Sequence, residues 1–418
     1  MSENMKNSPK LRFPEFVNNG EWEEQELGKL GKFLGGGTPS KSVDEYWHGT
    51  IPWISSSDIN EDDLKTISIT RFINEKSVLE SATKIVPKES VLFVSRVGTG
   101  ELAINSIDLC TSQDFTNFIP IQIYNYFLGY YFLANKSALT SLDQGTSIKG
   151  FSKSDLEKFK LTYPKKKEEQ QKITDCLSSV DSLIFAQSKK VELLKEHKKG
   201  LMQQLFPQDG EEVPKLRFPE FVHDGEWEEK RLGDISDVRD GTHDSPKFYS
   251  SGKPLVTSKN LLSNGILDIN NVSLISEEDY EQINKRSLVN IGDILFGMIG
   301  TIGNPVRVKF DGFAIKNVAL IKEKNMLLNE YLVHFLNSEY IATKFSILNA
   351  GNTQKFIALG QIRNLLLPIP KLPEQQKIAD CLSSLDEQIS QQTTKLQTLK
   401  EHKKALMQQL FPSKEVKI

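Results

Sequence analysis

The sequence lacks the features that mark secreted, membrane-spanning or metal-binding proteins. Its 418 residues include only three cysteines, Cys110, Cys176 and Cys381, and these form neither a CxxC pair nor a disulfide framework, as is typical of a reducing compartment. We interpret all three as small buried or half-buried thiols. The six histidines include no HExxH motif and none lies at zinc-binding spacing beside a cysteine, so we expect no structural metal. No apolar run approaches the length of a membrane span and the N-terminus is polar, which predicts a soluble cytoplasmic protein.

The sequence also lacks a strong charge bias and the motifs of a catalyst. A formal net charge of -3 gives no global sign of nucleic-acid binding, so any DNA-binding surface has to be a local basic patch. There is no glycine-rich loop with a trailing acidic residue for S-adenosylmethionine, no Asn/Asp-Pro-Pro-aromatic motif for amino methylation, and no paired acidic and lysine cluster of a nuclease. The loop "GGGTPSKS" at 35–42 lacks the GxxxxGK[ST] spacing of a phosphate-binding loop. We therefore predict that this chain alone is not an enzyme.

What the sequence does contain is an internal repeat. "PKLRFPEFV" begins at residue 9 and again at residue 214, and Gly-Glu-Trp-Glu-Glu follows in both copies. "EQQKI" at 169–173 recurs at 374–378, and "KEHKKGLMQQLFP" at 195–207 recurs at 400–412 with Ala405 in place of Gly200. Repeats of this kind define the architecture and are sought before secondary structure. Each half of the chain is therefore a constant frame around a variable insert.

The two inserts have diverged but keep traces of one fold. "IPWISSSDI" at 51–59 matches "KPLVTSKNL" at 253–261 in pattern, and "VLFVSRVGTG" at 91–100 resembles "ILFGMIGTIG" at 294–303. "GTSIKGFSKSDLEKFKLTYP" at 145–164 aligns with "GNTQKFIALGQIRNLLLPIP" at 351–370. Short β-rich runs separated by Gly, Ser, Thr and Asn predict an α+β domain with several strands and long loops in each half.

A long helix is predicted at the end of each half, because apolar residues recur there in alternating steps of four and three, the pattern of a coiled-coil seam. A matched Gln occupies one seam position in each helix, and such a buried amide fixes register and orientation. Each helix could instead pack on its own domain, but the matched seams favour pairing into a rigid antiparallel rod that separates two globular domains. The predicted seam residues are Ile173, Leu177, Val180, Ile184, Gln187, Val191 and Leu194 in the first helix, and Ile378, Leu382, Leu385, Ile389, Gln392, Leu396 and Leu399 in the second.

In each half a repeated leader (9–17 and 214–222) precedes a variable insert, and a repeated long helix follows the insert. This pattern resembles the specificity (S) subunit of type I restriction-modification enzymes over nearly the whole chain. The resemblance implies two mixed α/β target recognition domains separated by two long antiparallel coiled-coil helices, with a pseudo-two-fold internal repeat. The implied boundaries are a first target recognition domain with its leader at 1–164, a central helix at 165–207, a second target recognition domain with its leader at 208–370, and a C-terminal helix and tail at 371–418.

The resemblance also implies a function and partners. Each insert would read one half of a split, asymmetric double-stranded DNA site. The helices would set the distance between the halves and dock two methyltransferase (modification) subunits, and the restriction/translocase subunits of a phage-defence system would be further partners. It implies no cofactor on this chain, with S-adenosylmethionine, ATP and Mg on the partners. The alternative is a coiled-coil scaffold that binds only proteins, which would predict polar, low-complexity or adhesive inserts.

Candidate DNA-binding residues come from matched loops in the inserts, since Arg, Lys, Asn, Gln, Ser and Thr on loops contact base edges and phosphates. A Gly- and Thr-rich loop can equally be a plain turn. Lys149 and Lys355 fall at one aligned position, which suits a phosphate contact that both domains need. The candidates in the first insert are Thr38, Ser40, Ser56, Ser57, Asp58, Arg96, Thr99, Thr146, Ser147 and Lys149. Those in the second are Thr242, His243, Lys247, Thr257, Ser258, Lys259, Asn260, Thr301, Lys316, Asn317, Asn352, Thr353, Gln354 and Lys355.

Overall fold

The computed structural model describes residues 7–61, 63–96, 98–142, 150–208, 210–348 and 356–412. The chain forms two compact units, one made of residues 1–188 with 395–418 and the other of residues 189–394. Each unit therefore contains one insert with its leader and a part of both long helices. The boundaries drawn from the sequence at residues 164, 207 and 370 stay a prediction.

The first unit contains two four-stranded sheets and a two-stranded pair. Its strands are β1 (Glu23–Glu26), β2 (Gly31–Gly35), β3 (Ile51–Ile54), β4 (Arg71–Ile73), β5 (Ile85–Val86), β6 (Val91–Val94), β7 (Leu102–Ile104), β8 (Leu109–Thr111), β9 (Phe115–Pro120) and β10 (Lys160–Tyr163). The strand orders are β2-β9-β6-β7, β4-β3-β8-β5 and β1-β10. Most neighbours are antiparallel, but β3 and β8 run parallel, with Trp53 opposite Cys110.

Strand β6 shows how the core of the first unit is built. All four of its residues are buried, and successive side chains of a strand point to opposite faces. Val91 and Phe93 face a large cluster that includes α2 (Asn125–Ala134), whereas Leu92 and Val94 face a second cluster with Ile54 and Leu109. The remaining helices of this insert are α1 (Glu75–Glu80), α3 (Lys136–Thr140) and α4 (Lys153–Glu157). Both faces of the strand are thus packed.

The second unit repeats this arrangement. Its strands are β11 (Glu228–Arg231), β12 (Asp237–Asp240), β13 (Lys253–Val256), β14 (Ser273–Ile275), β15 (Ile294–Gly297), β16 (Gly303–Arg307), β17 (Ala314–Ile315), β18 (Val318–Lys322) and β19 (Leu366–Ile369). The orders are β12-β18-β15-β16, β14-β13-β17 and β11-β19, and β13 runs parallel to β17. The helices of the insert are α6 (Leu232–Ile235), α7 (Glu277–Ser287), α8 (Asn329–Leu336), α9 (Glu339–Leu348) and α10 (Leu359–Arg363). The shared fold that the diverged sequences predict is therefore present in both halves.

Two long helices complete the structure, in agreement with the predicted fold class. The α5 helix (Lys167–Leu205) ends the first half and the α11 helix (Leu372–Leu410) ends the second. Each helix is followed directly by Phe-Pro. A proline cannot continue a helix without loss of a hydrogen bond. No helix among the described residues is long and apolar enough to cross a membrane.

Within each unit the two long helices pack antiparallel. In the first unit, Ile173 and Leu177 of α5 share a core with Leu410 of α11, and the Lys403 ammonium lies 2.6 Å from the Asp181 carboxylate. In the second unit, the Lys198 ammonium lies 2.5 Å from the Asp386 carboxylate. The predicted seam residues are all buried or half-buried: Ile173, Leu177, Val180, Ile184, Gln187, Val191, Leu194, Ile378, Leu382, Leu385, Ile389, Gln392, Leu396 and Leu399. The two helices therefore pair with each other and also pack on the domains, although the sequence presents these two arrangements as alternatives.

The repeated "EQQKI" motif anchors each long helix to its domain. The Gln170 side chain donates to the Pro164 carbonyl at 2.8 Å and accepts from the Tyr124 backbone N–H at 2.9 Å. Gln375 makes the matching bonds to the Pro370 carbonyl and the Leu328 N–H, both at 2.9 Å. Because buried amide groups need hydrogen-bond partners, these bonds fix where the helix begins relative to the sheet.

Candidate nucleic-acid interface

The predicted DNA-binding loops converge in each unit because of one pair of parallel strands. Parallel strands end at the same edge of a sheet. The turn after β3 therefore lies beside the segment after β8, where the Ser112 N–H donates to the Ile54 carbonyl at 2.8 Å. In the second unit the Lys316 N–H donates to the Val256 carbonyl at 2.9 Å in the same way. The candidates at 55–58 and 257–260 are thus placed beside 112–114 and 316–317.

A glycine pair joins a third loop to this edge. The Gly36 and Gly37 N–H groups donate to the Phe115 and Thr111 carbonyls at 3.3 and 2.8 Å. Gly241 makes the bond equivalent to that of Gly36, and an added Cβ on Gly241 would lie 2.2 Å from the Ile315 carbonyl oxygen. Only glycine fits such a close approach of two backbones. The loops at 35–42 and 241–247 are therefore fixed against the strand ends in both units.

A fourth loop follows β6 and β15. The Arg96 N–H donates to the Asp114 carbonyl at 3.2 Å, and Arg96 also pairs with Gly150. The Met298 N–H donates to the Ser258 hydroxyl at 3.2 Å, and Ile299 pairs with Phe356. Exposed Arg96, half-buried Thr99 and exposed Thr301 lie on these loops.

Several predicted residues lie in the 143–149 and 349–355 stretches. These are Thr146, Ser147, Lys149, Asn352, Thr353, Gln354 and Lys355, and they lie outside the described residues. The predicted phosphate contact by Lys149 and Lys355 stays a prediction.

Some of the predicted DNA-binding residues form hydrogen bonds within the protein. The Asp58 carboxylate accepts from the Ser55 N–H at 2.7 Å and pairs with the Arg71 guanidinium. The buried Asn260 side chain accepts from the Thr257 N–H at 2.9 Å and donates to the Asn271 carbonyl at 2.9 Å. These bonds cap the two turns. The buried Ser258 hydroxyl likewise donates to the Asn317 carbonyl at 3.1 Å.

Other side chains in the same loops are partly or fully exposed. Thr38 and Ser56 are half-buried, Ser40 and Ser57 are exposed, and the Ser40 hydroxyl lies 2.8 Å from that of Ser42. In the second unit Thr242 and Thr257 are half-buried, while Lys247 and Lys259 are exposed. The surface of each unit at this edge is therefore polar and rich in hydrogen-bonding groups.

The segment Ser112–Asp114 also lies at this edge, although the sequence alone did not single it out. Gln113 is exposed there, between buried Ser112 and half-buried Asp114, at the place that Lys316 and Asn317 occupy in the second unit. A signal was present in the alignment of "LCTSQDF" with "FAIKNV", since both join a short strand to the next buried strand. Divergence and a one-residue difference in length obscured it.

In the second unit, charged and polar side chains form a bonded cluster around His243. Its Nε2 lies 2.8 Å from the Asp240 carboxylate and its Nδ1 lies 2.8 Å from the Asn317 side-chain oxygen. These two hydrogen bonds, with the one to Asn317 foremost, raise the pKa of His243 above its ordinary value. Asp240 also pairs with Arg286, and the Lys316 ammonium donates to the Ser245 hydroxyl at 2.7 Å. Asp240 and Ser245 lie in the candidate loop at 240–247, and Arg286 is a further residue that no sequence pattern indicated.

The structure offers no evident place for a metal within the part of the chain that it describes. No group of three or more His, Cys, Asp or Glu side chains among these residues is arranged to hold a metal ion. Cys110 is buried, which raises the pKa of its thiol to about 11, and Cys176 and Cys381 are half-buried, as predicted.

Sequence comparisons relate the chain to known proteins. A family model for the type I restriction modification DNA specificity domain matches residues 19–195 and again residues 224–401. The chain is 29% identical over 409 residues to the type I restriction enzyme MjaIX specificity subunit of Methanocaldococcus jannaschii, covering 93% of this chain and 92% of that protein. It is 26% identical over 430 residues to the MjaVIII specificity subunit of the same organism, covering 99% of this chain and 96% of that protein.

A solved structure shows the same fold. The crystal structure of a type I restriction-modification system S subunit from M. genitalium is similar with a TM-score of 0.63 and 16% identity. The similarity covers 98% of this chain and 100% of that chain. The chain therefore shares its fold with an S subunit known from a crystal structure.

Proposed function

The chain belongs to the family of type I restriction-modification DNA specificity domains, and on that premise we propose that its two units read the two halves of an asymmetric bipartite DNA site. Specificity subunits are the non-catalytic DNA-recognition components of restriction-modification enzymes. This family membership argues against the alternative of a scaffold that binds only proteins.

One observation carries the proposal: both units share the backbone frame of the loop edge and differ in the side chains that it presents. Gly36 and Gly241 make equivalent bonds at this edge. Beside them the first unit presents Gln113 where the second presents Lys316 and Asn317. Because different base edges offer different patterns of donors and acceptors, different side chains on one frame select different sequences.

We infer from the repeat that two modification subunits dock, one at each place where a leader packs against a long helix. Type I specificity subunits act in complexes with modification and restriction subunits, as their family and names indicate. The two leaders are identical over 9–17 and 214–222, and this identity extends to exposed apolar side chains. Val17 is 57% exposed and Val222 is 53% exposed. Identity at exposed apolar positions suits one partner that binds twice. We place this complex in the cytoplasm, together with the DNA that it modifies.

The experiment exchanges one insert and determines the methylated sequence. Residues 22–160 are replaced by the equivalent insert of a related specificity subunit, and the chain is expressed with its modification subunit. Sequencing of methylated bases in the host genome should show one half of the motif changed and the other half retained. Exchange of the second insert is the matched control and should change the opposite half. If both halves change together, the two units are not independent readers.

A further inference from the structure

His243 holds the Asn317 side chain from one direction. Its Nδ1 lies 2.8 Å from the Asn317 Oδ1, and its Nε2 lies 2.8 Å from the Asp240 carboxylate. A neutral imidazole has only one N–H, whereas both nitrogens of an imidazolium donate. Two oxygen acceptors on opposite sides of the ring therefore favour the protonated form.

The groups around the His243 ring on balance also favour its protonated form. Asp240, at the end of β12, is the carboxylate that faces His243, and its side chain is only 7% exposed. Arg286 of α7 pairs with the other oxygen of Asp240 and opposes protonation of the ring. The two hydrogen bonds to Asn317 and Asp240 outweigh Arg286, and the pKa of His243 is raised. On the loop of His243 itself, exposed Asp244 and Lys247 carry opposite charges.

The backbone of Asn317 is fixed independently of His243. Its N–H donates to the Thr242 carbonyl at 3.1 Å, and its carbonyl accepts from the Ser258 hydroxyl at 3.1 Å. Its φ of 55° is in the left-handed region, which Asn tolerates better than most residues. Residue 317 is thus held at the strand edge, and His243 determines only where its amide points.

Two donor groups remain for a ligand. With Oδ1 bonded to His243, the Asn317 amide nitrogen has no acceptor within hydrogen-bonding distance among the residues that the structure describes. The Lys316 ammonium has three N–H groups, and its hydrogen bond to the Ser245 hydroxyl uses one of them. A free Asn reads adenine by donating and accepting at once, while donors alone match the N7 and O6 acceptors of guanine.

We propose that His243 is a positioning residue for DNA recognition, which orients Asn317 so that Asn317 and Lys316 together select a guanine in the half-site read by the second unit. This inference rests on the proposed function. The imidazolium holds the amide oxygen, and the amide nitrogen and the ammonium donate to the base. Loss of the proton removes one of the two ring N–H groups and frees the amide to rotate, so recognition weakens as pH rises through the raised pKa of His243.

The first experiment determines which base the cluster reads. The full chain is expressed with its modification subunit, and methylated bases in the host genome are sequenced for the wild type and for Asn317→Ala. We expect the variant to relax one G·C position in one half of the motif and to leave the other half unchanged. Relaxation at an A·T position, or an unchanged motif, would overturn the inference. A wild-type complex that methylates no bipartite motif would instead contradict the proposed function.

The second experiment measures affinity against pH for a duplex that carries the wild-type motif. The complex with wild-type chain should bind about tenfold more weakly at pH 8.5 than at pH 6.5, because one charge-assisted hydrogen bond is lost. His243→Ala should bind weakly at both pH values. His243→Arg keeps a permanent positive charge with several donors, so it should bind tightly at both.

Matched variants separate positioning from folding. His48→Gln alters an exposed histidine of the other unit and should keep the wild-type pH profile. Thermal unfolding of each variant shows whether the chain is folded, and recovery of affinity by His243→Arg excludes a folding defect as the cause of the His243→Ala result. If the wild type and His243→Arg share one pH profile, protonation of His243 plays no part and the inference fails.

Discussion

Arg12 and Glu169 form a two-point ion pair, with Nε 2.7 Å from Oε1 and Nη2 2.9 Å from Oε2. The Glu169 side chain is 2% exposed, and the Trp22 indole also donates to it at 3.1 Å. Arg217 and Glu374 repeat the pair in the second unit at 2.7 and 2.8 Å. Two motifs that recur in the sequence, the leader and "EQQKI", are therefore the two sides of one contact, which joins each leader to the beginning of a long helix.

Replacement of Glu169 should destabilise the first unit strongly. Glu169→Gln leaves the Arg12 guanidinium partly buried without a counter-charge, and breaking a buried pair from one side typically costs about 3–5 kcal/mol. We expect the free energy of unfolding, measured by urea denaturation of the full chain, to fall by about 3 kcal/mol.

A surface pair on the same helix is the control. Lys172 lies 3.3 Å from Glu15, and both side chains are about half exposed. Lys172→Gln should leave the denaturation midpoint almost unchanged, because exposed pairs are screened by solvent. Equal shifts for Glu169→Gln and Lys172→Gln would show that burial of the Arg12 pair does not matter.

Gly200→Ala should stabilise the protein. Gly200 lies inside α5, where the second copy has Ala405, and an added Cβ at Gly200 would meet nothing within 4 Å. Alanine restricts the unfolded chain more than glycine, so the gain should be about 0.5–1 kcal/mol in urea denaturation. Gly37→Ala is the contrasting variant: its Cβ would lie 2.4 Å from a backbone carbon of Ala82, so stability should fall. Destabilisation by Gly200→Ala would contradict the open space seen beside this glycine.

Stability of the second unit should decrease in mild acid because of His334. Its Nε2 lies 3.0 Å from the Ser383 hydroxyl, and burial lowers the pKa of His334 to about 4, with Lys198 adding to the effect and Asp386 opposing it. The unfolded pKa is about 6.5. Because the pKa of His334 is lower in the folded than in the unfolded chain, its contribution to the free energy of unfolding is complete above about pH 6.5. That contribution is lost as pH falls toward 4. The free energy of unfolding should fall by about 2 kcal/mol between pH 7.5 and pH 5 from this group.

His334→Tyr tests the assignment with a residue that the chain already uses. Tyr130 occupies the equivalent place in the first unit, where its hydroxyl donates to Asp181 at 2.5 Å. Burial raises the pKa of Tyr130, so a tyrosine at this place does not titrate in mild acid. The variant should lose about 2 kcal/mol less than the wild type between pH 7.5 and pH 5. The same loss in both proteins would assign the acid sensitivity to other groups.

The exposed valines of the leaders should control binding of the modification subunit. Val17→Asp or Val222→Asp should weaken one of two binding events about tenfold, because a charge then lies in an apolar contact. The double variant should weaken both. Native mass spectrometry of the complex counts the bound subunits. Leu79→Asp alters another exposed apolar residue, 84% exposed and outside the leaders, and should leave two subunits bound. Unchanged stoichiometry in the double variant would exclude the leaders as the docking surface.

The sequence by itself determined the organisation of this protein. The repeated leaders, the diverged inserts and the seams of two long helices are all visible in the order of residues. Helix periodicity and proline stops act between residues three or four apart, so they can be found without knowledge of the fold. The family model, which matches the chain twice, agrees with that organisation.

Only the tertiary structure decided which side chains are available at the candidate interface. The sequence treats Asp58, Asn260, Lys316 and Asn317 alike, as polar residues on loops. Parallel pairing of β3 with β8 and of β13 with β17 brings distant segments to one edge, and there Asp58 and Asn260 cap turns while Asn317 is held by His243. Such pairings depend on packing between residues far apart in the chain, and no local pattern of residues encodes them.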